Sequence, residues 1–198
     1  MTVRIAQNLG VDKVVNFSEN LGIYENPDEL LSISLGSKET TLLNLTSAYS
    51  AFVNGGKLIT PILIDRVQDS EGHTLVNNEN RKCLNCDQIS FTSKTYPEIK
   101  DNYKKVFSPQ TAYQITSLLE GVIQRGTGKK LRKLELNIAG KTGTTNKNTD
   151  AWFIGYTSNY VIGVYVGMDN PKPLGKFETG SKAALPIFKD FVEKAIKK

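Results

Sequence analysis

The chain has 198 residues, 39% of them hydrophobic and 23% charged, with a formal net charge of +5. That length can bury one substantial core, so one domain is expected, and the composition excludes an intrinsically disordered chain. No apolar run approaches the roughly 18 residues of a membrane-spanning helix, and no signal peptide follows Met1.

In chain order, Thr2 to Leu9 reads as a short helix ended by Gly10, and Asp12 to Leu21 as a second whose Val14, Val15, Phe17 and Leu21 suit a packed face. Thr40 to Val53 spaces Leu42, Leu45, Tyr49 and Phe52 along one face and stops at Gly55-Gly56. Residues 75 to 105 are polar and aperiodic and read as a surface insertion or long loop. Inside it lies Cys83-Leu84-Asn85-Cys86, without the strand–helix setting of a thioredoxin-like redox motif. Zinc needs about four ligands, and only His73 and Asp87 are near. A pair of loop cysteines, joined to each other if the protein is exported, is the preferred reading, and metal binding is the alternative. His73, the lone histidine, follows Gly72 in a turn and reads as solvated, which argues against a His-based triad.

Ser108-Pro109 is an N-cap followed by proline at the first helical position, and it opens a helix carrying Ala112, Ile115, Leu119 and Val122. Arg125, Lys129, Lys130, Arg132 and Lys133 concentrate charge without interleaved aromatics. A solvated loop is therefore expected and no nucleic-acid partner, with attraction of an anionic substrate or membrane surface as the alternative. Strands cluster between Leu134 and Met168. Ala151 to Tyr156 is one, Tyr160 to Met168 is apolar enough to be buried on both faces, and Thr157-Ser158-Asn159 turns between them. The expected unit is three antiparallel strands closed by a helix from Ala184 to Lys197 that buries Ile187, Phe188, Phe191 and Ile196.

The chemistry concentrates in Ala139-Gly140-Lys141-Thr142-Gly143-Thr144-Thr145. Gly143 lets an extended peptide approach the strand backbone, and a free sheet edge can capture such a peptide by strand addition. Lys141 offers a positive charge for a carboxylate, or moves a proton between hydroxyls. Thr142 and Thr144 offer hydroxyls for the same carboxylate, and a backbone N–H near Thr144 suits an oxyanion hole. A phosphate-binding P-loop would need glycine where the chain has Glu135 and a helix where Gly143-Thr144-Thr145-Asn146 reads as strand or turn. A plain glycine-containing hairpin is the bland alternative.

Lys-Thr-Gly is one of three elements of the active-serine penicillin-recognising enzymes, with Ser-x-x-Lys and Ser-x-Asn. The stretch from Lys141 to Pro173, KTGTTNKNTDAWFIGYTSNYVIGVYVGMDNPKP, resembles the same region of class A (bifunctional) penicillin-binding proteins, close to the 1A type. The likeness continues through Gly121-Val122-Ile123-Gln124-Arg125-Gly126-Thr127-Gly128, Ser34-Leu35-Gly36, Thr46 to Gly56 (TSAYSAFVNGG) and Thr2-Val3-Arg4-Ile5-Ala6. The resemblance implies an α+β, β-lactamase/transpeptidase-like fold: a five-stranded antiparallel sheet with helices on both faces. Its first two strands precede Ser-x-x-Lys and are expected to be missing here, which would leave the Tyr160–Met168 strand with an unpaired apolar edge. It also implies a serine D,D-transpeptidase that cross-links peptidoglycan stem peptides and is trapped by β-lactams. Lys141 would be catalytic, Thr142, Gly143, Thr144 and Thr145 would bind substrate, and neither metal nor cofactor is implied. The parent enzyme would act at the periplasmic face of the inner membrane.

The departures concern the nucleophile. Every Lys has something other than Ser three places before it: Lys38 follows Leu35, Lys94 follows Phe91 and Lys105 follows Asn102. Thr127…Lys130 and Thr144…Lys147 match the spacing with Thr, but in a glycine loop and beside the motif. Ser18-Glu19-Asn20 fits Ser-x-Asn yet sits in a helix, whereas the family element comes just before the Thr-Val-Arg segment that begins here at Thr2. The expectation is the C-terminal part of a transpeptidase domain, residues 1 to 198, with the serine wall before residue 1. The alternative is a non-catalytic remnant or split-gene half-domain, completed if at all by a separate N-terminal polypeptide.

Overall fold

Five α-helices are present in a computed structural model that describes residues 1–78, 81–86, 96–100 and 103–196. Asp87, Phe91, Lys94, Asn102 and Lys197, used in the sequence reading, lie outside the described residues. The helices are α1 (Thr2–Leu9), α2 (Val11–Asn20), α3 (Leu42–Val53), α4 (Pro109–Arg125) and α5 (Ala184–Ala195). Between α1 and α2 Gly10 has φ 99°, and a Cβ there would lie 2.5 Å from Asp12 Oδ1, so only glycine bends the chain at that point without strain. α3 starts two residues later than the sequence reading, capped by Thr41, whose Oγ1 accepts from the Asn44 N–H at 3.1 Å. Thr40 instead donates to the Ile23 carbonyl at 2.6 Å. Ser108 Oγ accepts from the Thr111 N–H at 3.1 Å with Pro109 at the first helical position, as that sequence pair dictates.

The chain divides into two compact units, one of Met1–Leu58 with Lys105–Lys198 and one of Ile59–Lys104. The larger is built around an antiparallel sheet of β1 (Ala139–Thr144), β2 (Ala151–Tyr156) and β3 (Val161–Val166), in that spatial order. The turn closes where expected, Thr157 N–H donating to the Tyr160 carbonyl at 2.9 Å. The doubly buried strand is β2, however, and not the third one. Only Trp152 of β2 escapes full burial, whereas β3 is half-buried with Tyr165 exposed, and Tyr160 and Met168 flank it exposed. β3 pairs on one side only among the described residues, so its backbone and side chains keep one flank open. Leu134 to Ala139 is likewise not a strand until Ala139: Lys129–Leu134 forms a 3-10 turn instead.

Strand alternation sorts the core. Ala151, Phe153 and Gly155 share the face covered by α5, where the Phe153 and Phe188 rings meet edge to face at 4.8 Å. Gly155 is required there because a Cβ would fall 2.7 Å from Phe188 Cζ. Tyr156, of opposite parity, meets Tyr49 of α3 at 6.4 Å between ring centroids and shares a 3.0 Å hydrogen bond with Thr116 of α4. On that second face α3 crosses β3 at Gly163, where Thr46 and Leu42 occupy the space of a side chain. The fold is therefore α+β, an antiparallel sheet with helices on both faces.

Three faces differ from the sequence reading. In α5 the buried stripe is Ala184, Leu185, Phe188 and Val192, while Ile187 and Phe191 are 52% and 51% exposed. In α3 the fully buried positions are the small Ala48, Ser50 and Ala51, and the bulky residues are half-buried, because close packing on a sheet selects small side chains. In α2 Val15 is buried but Phe17 is 45% exposed, its ring 6.1 Å from that of Phe107.

The smaller unit carries two antiparallel hairpins, Arg66–Gln68 with Thr74–Asn77 and Lys82–Leu84 with Glu98–Lys100. The stretch read as a polar loop thus contains strands. They are three or four residues long, and those of the first hairpin are exposed along their whole length, so no apolar alternation marks them. Cys83 and Cys86 are joined as a disulfide, their Cα atoms 5.8 Å apart. His73 is exposed, its Nδ1 3.1 Å from Asp69 Oδ2. Among the described residues no group of three His, Cys, Asp or Glu is placed to hold a metal ion, and no helix is long and apolar enough to cross a membrane.

The phase of α5 is directly testable. Phe188→Ala should cost about 3–5 kcal/mol of unfolding free energy in denaturant titration, and Phe191→Ala less than about 1 kcal/mol. Equal losses would show that the helix packs on the face expected from sequence.

Candidate functional site

β1 is an edge strand whose outer side has no strand partner among the described residues. It enters buried and leaves exposed. Ala139 and Gly140 are buried, and a Cβ on Gly140 would lie 2.7 Å from the Ile154 carbonyl oxygen, so this glycine holds the strand tight against β2. Lys141, opposite Ile154, is exposed, and its Nζ donates to the Thr142 carbonyl at 2.8 Å. An ammonium held at an unpaired strand edge presents positive charge where an extended chain would add.

Thr142 is half-buried and shares a 2.9 Å hydrogen bond with Thr127. Thr127 is aimed there by its two glycines. Gly126 and Gly128 both donate to the Val122 carbonyl, at 3.0 and 3.1 Å, and a Cβ on Gly128 would meet Ile123 at 2.5 Å. The basic run beyond is an ordered 3-10 turn and not a loop. Leu131 and Leu134 are buried at 1% exposure and pin it, leaving Lys129, Lys130, Arg132 and Lys133 outside. Lys130 Nζ reaches the Ser181 carbonyl at 3.4 Å.

Gly143 faces Trp152 across the ladder, and a Cβ would approach Trp152 Cβ to 3.1 Å, so the glycine relieves crowding with its neighbour as well as opening the strand. Thr144 Oγ1 accepts from the Gly180 N–H at 3.0 Å. Gly180 itself lies against the Gly143 backbone with no room for a side chain, a Cβ falling 2.5 Å from the Gly143 carbonyl oxygen. The segment before α5 is thereby docked on the end of β1.

Thr145 does not share this ledge. Its hydroxyl accepts the Asp150 N–H at 2.8 Å, lies 2.7 Å from Thr149 Oγ1, and donates to Asp150 Oδ2 at 3.1 Å, closing the loop between β1 and β2. Asp150 also receives the Tyr165 hydroxyl at 2.7 Å and Thr149 Oγ1 at 3.0 Å. The hydrogen bond from Tyr165, with those from Thr149 and Thr145, holds the Asp150 carboxyl below its ordinary range, and the same bond raises Tyr165. Gly167 packs on this pair, a Cβ there lying 2.9 Å from Asp150 Oδ1. Ser18 lies on α2, its hydroxyl spent on the Val15 carbonyl at 2.7 Å, the back-bonding of a helical serine.

Lys141, Thr142, Gly143 and Thr144 are thus brought together by sequence adjacency on one edge, and Thr127 and Gly180 join them from elsewhere. The Gly-Thr-Gly loop was visible in the sequence, but its contact with Thr142 depends on how α4 ends. Asp150 and Tyr165, fifteen residues apart, meet only through the register that sets Ala151 opposite Val166.

Comparison with known proteins places the chain. The penicillin binding protein transpeptidase domain matches residues 1–193. Penicillin-binding protein 1A of Rickettsia typhi is 44% identical over 199 residues, covering 100% of this chain and 25% of that protein. Penicillin-binding protein 1A of Pseudomonas aeruginosa is 31% identical over 231 residues, covering 100% and 28%. The crystal structure of penicillin-binding protein 1A from Haemophilus influenzae superposes with a TM-score of 0.79 at 28% identity, covering 100% of this chain and 33% of that one. The chain spans about a quarter of the length of these curated relatives.

The Asp150 cluster generates a pH prediction. Its folded pKa lies below the ordinary 3.8, so its stabilising contribution is complete above the unfolded value and is lost as pH falls through the lower folded one. Tyr165→Phe should raise the Asp150 pKa toward 3.8 in a carboxylate NMR titration, and the stability gap to wild type should close in acid. An unmoved titration would show that the tyrosine is not the main cause.

Proposed function

The chain belongs to the penicillin-binding-protein transpeptidase family, and from that premise we propose that β1 is the substrate wall of a serine D,D-transpeptidase cleft. The observation that carries this reading is an exposed lysine on a strand edge with no partner among the described residues, beside the paired hydroxyls of Thr142 and Thr127. An extended stem peptide adds to the edge through backbone hydrogen bonds, and Lys141 with Thr142 and Thr144 takes its terminal carboxylate. Gly143 keeps the strand surface low enough for the peptide to lie close. β-Lactams enter the same place as mimics of the donor. Thr145 contributes indirectly, by fixing the loop that sets where β1 ends.

In this reading the covalent step belongs to a serine outside these 198 residues, since no Ser stands three places before a Lys anywhere in the chain. The serine hydroxyl attacks the D-Ala-D-Ala carbonyl, its proton leaves through a neighbouring base, D-Ala departs, and the acyl group passes to an amine of a second strand. The parent protein would work in cell-wall assembly at the periplasmic face of the inner membrane. A second reading, a non-catalytic remnant or half-domain completed by a separate N-terminal polypeptide, rests on the same missing nucleophile.

Incubated alone with a fluorescent penicillin, the chain should show no covalent adduct by mass spectrometry. In a longer protein that contains this segment and a Ser-x-x-Lys, Lys141→Met should lower the acylation rate about 100-fold or more. An adduct on the isolated chain would overturn the assignment of the nucleophile, and unchanged acylation in the variant would overturn the role of Lys141.

A further inference from the structure

At the opposite end of β1 from Thr144, a cavity of about 220 Å³ opens between α3, α4 and the start of the sheet. Phe52 of α3 and Tyr156 of β2 supply aromatic walls, Glu120 of α4 supplies a carboxylate, and Asn137 and Ser158 stand at an exposed rim. No lining residue is basic. Glu120 is half-buried and makes no ion pair among the described residues. Thr116 and Tyr156, also lining the space, share one hydrogen bond at 3.0 Å, and neither carries a positive charge to pair with Glu120. Burial first, and the Glu120 charge besides, hold the Tyr156 hydroxyl above its ordinary pKa, which places that carboxylate within electrostatic reach of the ring.

We propose that this cavity is a binding site for a compact organic cation, an ammonium or guanidinium on a short apolar stem or ring. Two features select that class. A carboxylate without a cation beside two aromatic rings attracts positive charge both directly and through the ring quadrupoles. The volume then sets the size: about 150 Å³ accommodates a benzene ring, so this space holds one ring with an aminomethyl group and little more. Asn137 and the Ser158 hydroxyl supply acceptors for the remaining N–H groups at the rim. The site is separate from the proposed substrate wall, since it reaches β1 at Ala139 while the hydroxyl and glycine contacts lie at Thr142 to Thr144.

The test is a titration of the isotopically labelled full chain, followed by amide NMR, with three probes: benzylammonium, N-acetyl-arginine amide and neutral benzyl alcohol. Benzylammonium should shift Thr116, Glu120, Tyr156 and Ser158 saturably, with a Kd on the order of 1–10 mM, and leave Thr144 and Gly180 in place. Benzyl alcohol should bind at least about tenfold more weakly, and Glu120→Gln should reduce benzylammonium to the same level. Phe52→Leu should weaken it about threefold, a readout independent of Glu120. Saturation by the arginine amide as well would support a guanidinium ligand, and its failure would overturn the guanidinium half of the proposal. Equal affinity for benzyl alcohol, indifference to Glu120→Gln, or no saturable shift by about 50 mM would overturn the proposal.

Discussion

The burial of β2 is the constraint from which the rest of the larger unit follows. It is paired on both sides, and five of its six residues are buried. Phe153 and Phe188 contribute the two largest fully buried side chains and lock the sheet to α5. Because side chains alternate along a strand, fixing Phe153 toward α5 forces Ile154 and Tyr156 toward α3 and α4. A slip of one residue would take Phe153 off Phe188 and turn it toward α3 and α4, losing a ring contact that is a sizeable fraction of the roughly 5–15 kcal/mol that separates folded from unfolded domains. The apolar packing of β2 thereby decides where the charge on β1 stands.

The proposed substrate wall is fixed by that register and trimmed by polar contacts. Two segments distant in sequence converge on β1, Thr127 on Thr142 and Gly180 on Thr144, and the Asp150 cluster fixes the loop that begins at Thr145. Each contact is modest, on the order of 1 kcal/mol net. Together they leave the end of the strand few alternative geometries, which suits the proposed role of that edge in presenting backbone groups to a peptide. Glycine serves here by proximity: Gly140, Gly143 and Gly180 all lie where a Cβ would strike backbone or a cross-strand side chain.

Much of this was legible in the sequence, because local chemistry determined it. Ser108-Pro109 starts α4 by satisfying a free N–H and presetting φ, and Thr157-Ser158-Asn159 turns the chain without help from elsewhere. The helical faces were less legible. Ile187 and Phe191 are as apolar as Leu185 and Val192, and only contact with Phe153 settles which stripe is buried. The short hairpins between Arg66 and Lys100 were hidden because strands that bury little carry no alternation to read. In the site, adjacency delivered Lys141 to Thr144, whereas Thr127, Asp150, Tyr165 and Gly180 needed the register and the helix ends. Thr145 illustrates the limit: its residue type matched a substrate-binding hydroxyl, and its geometry commits it to the loop.

The most direct measurement is an NMR titration of the chain with an acylated D-Ala-D-Ala dipeptide, read at every backbone amide. A substrate wall at β1 predicts saturable shifts centred on Lys141 to Thr144 and on Thr127, lost in Lys141→Met while the fold is unchanged. Shifts centred on another surface, or identical shifts in the variant, would contradict it.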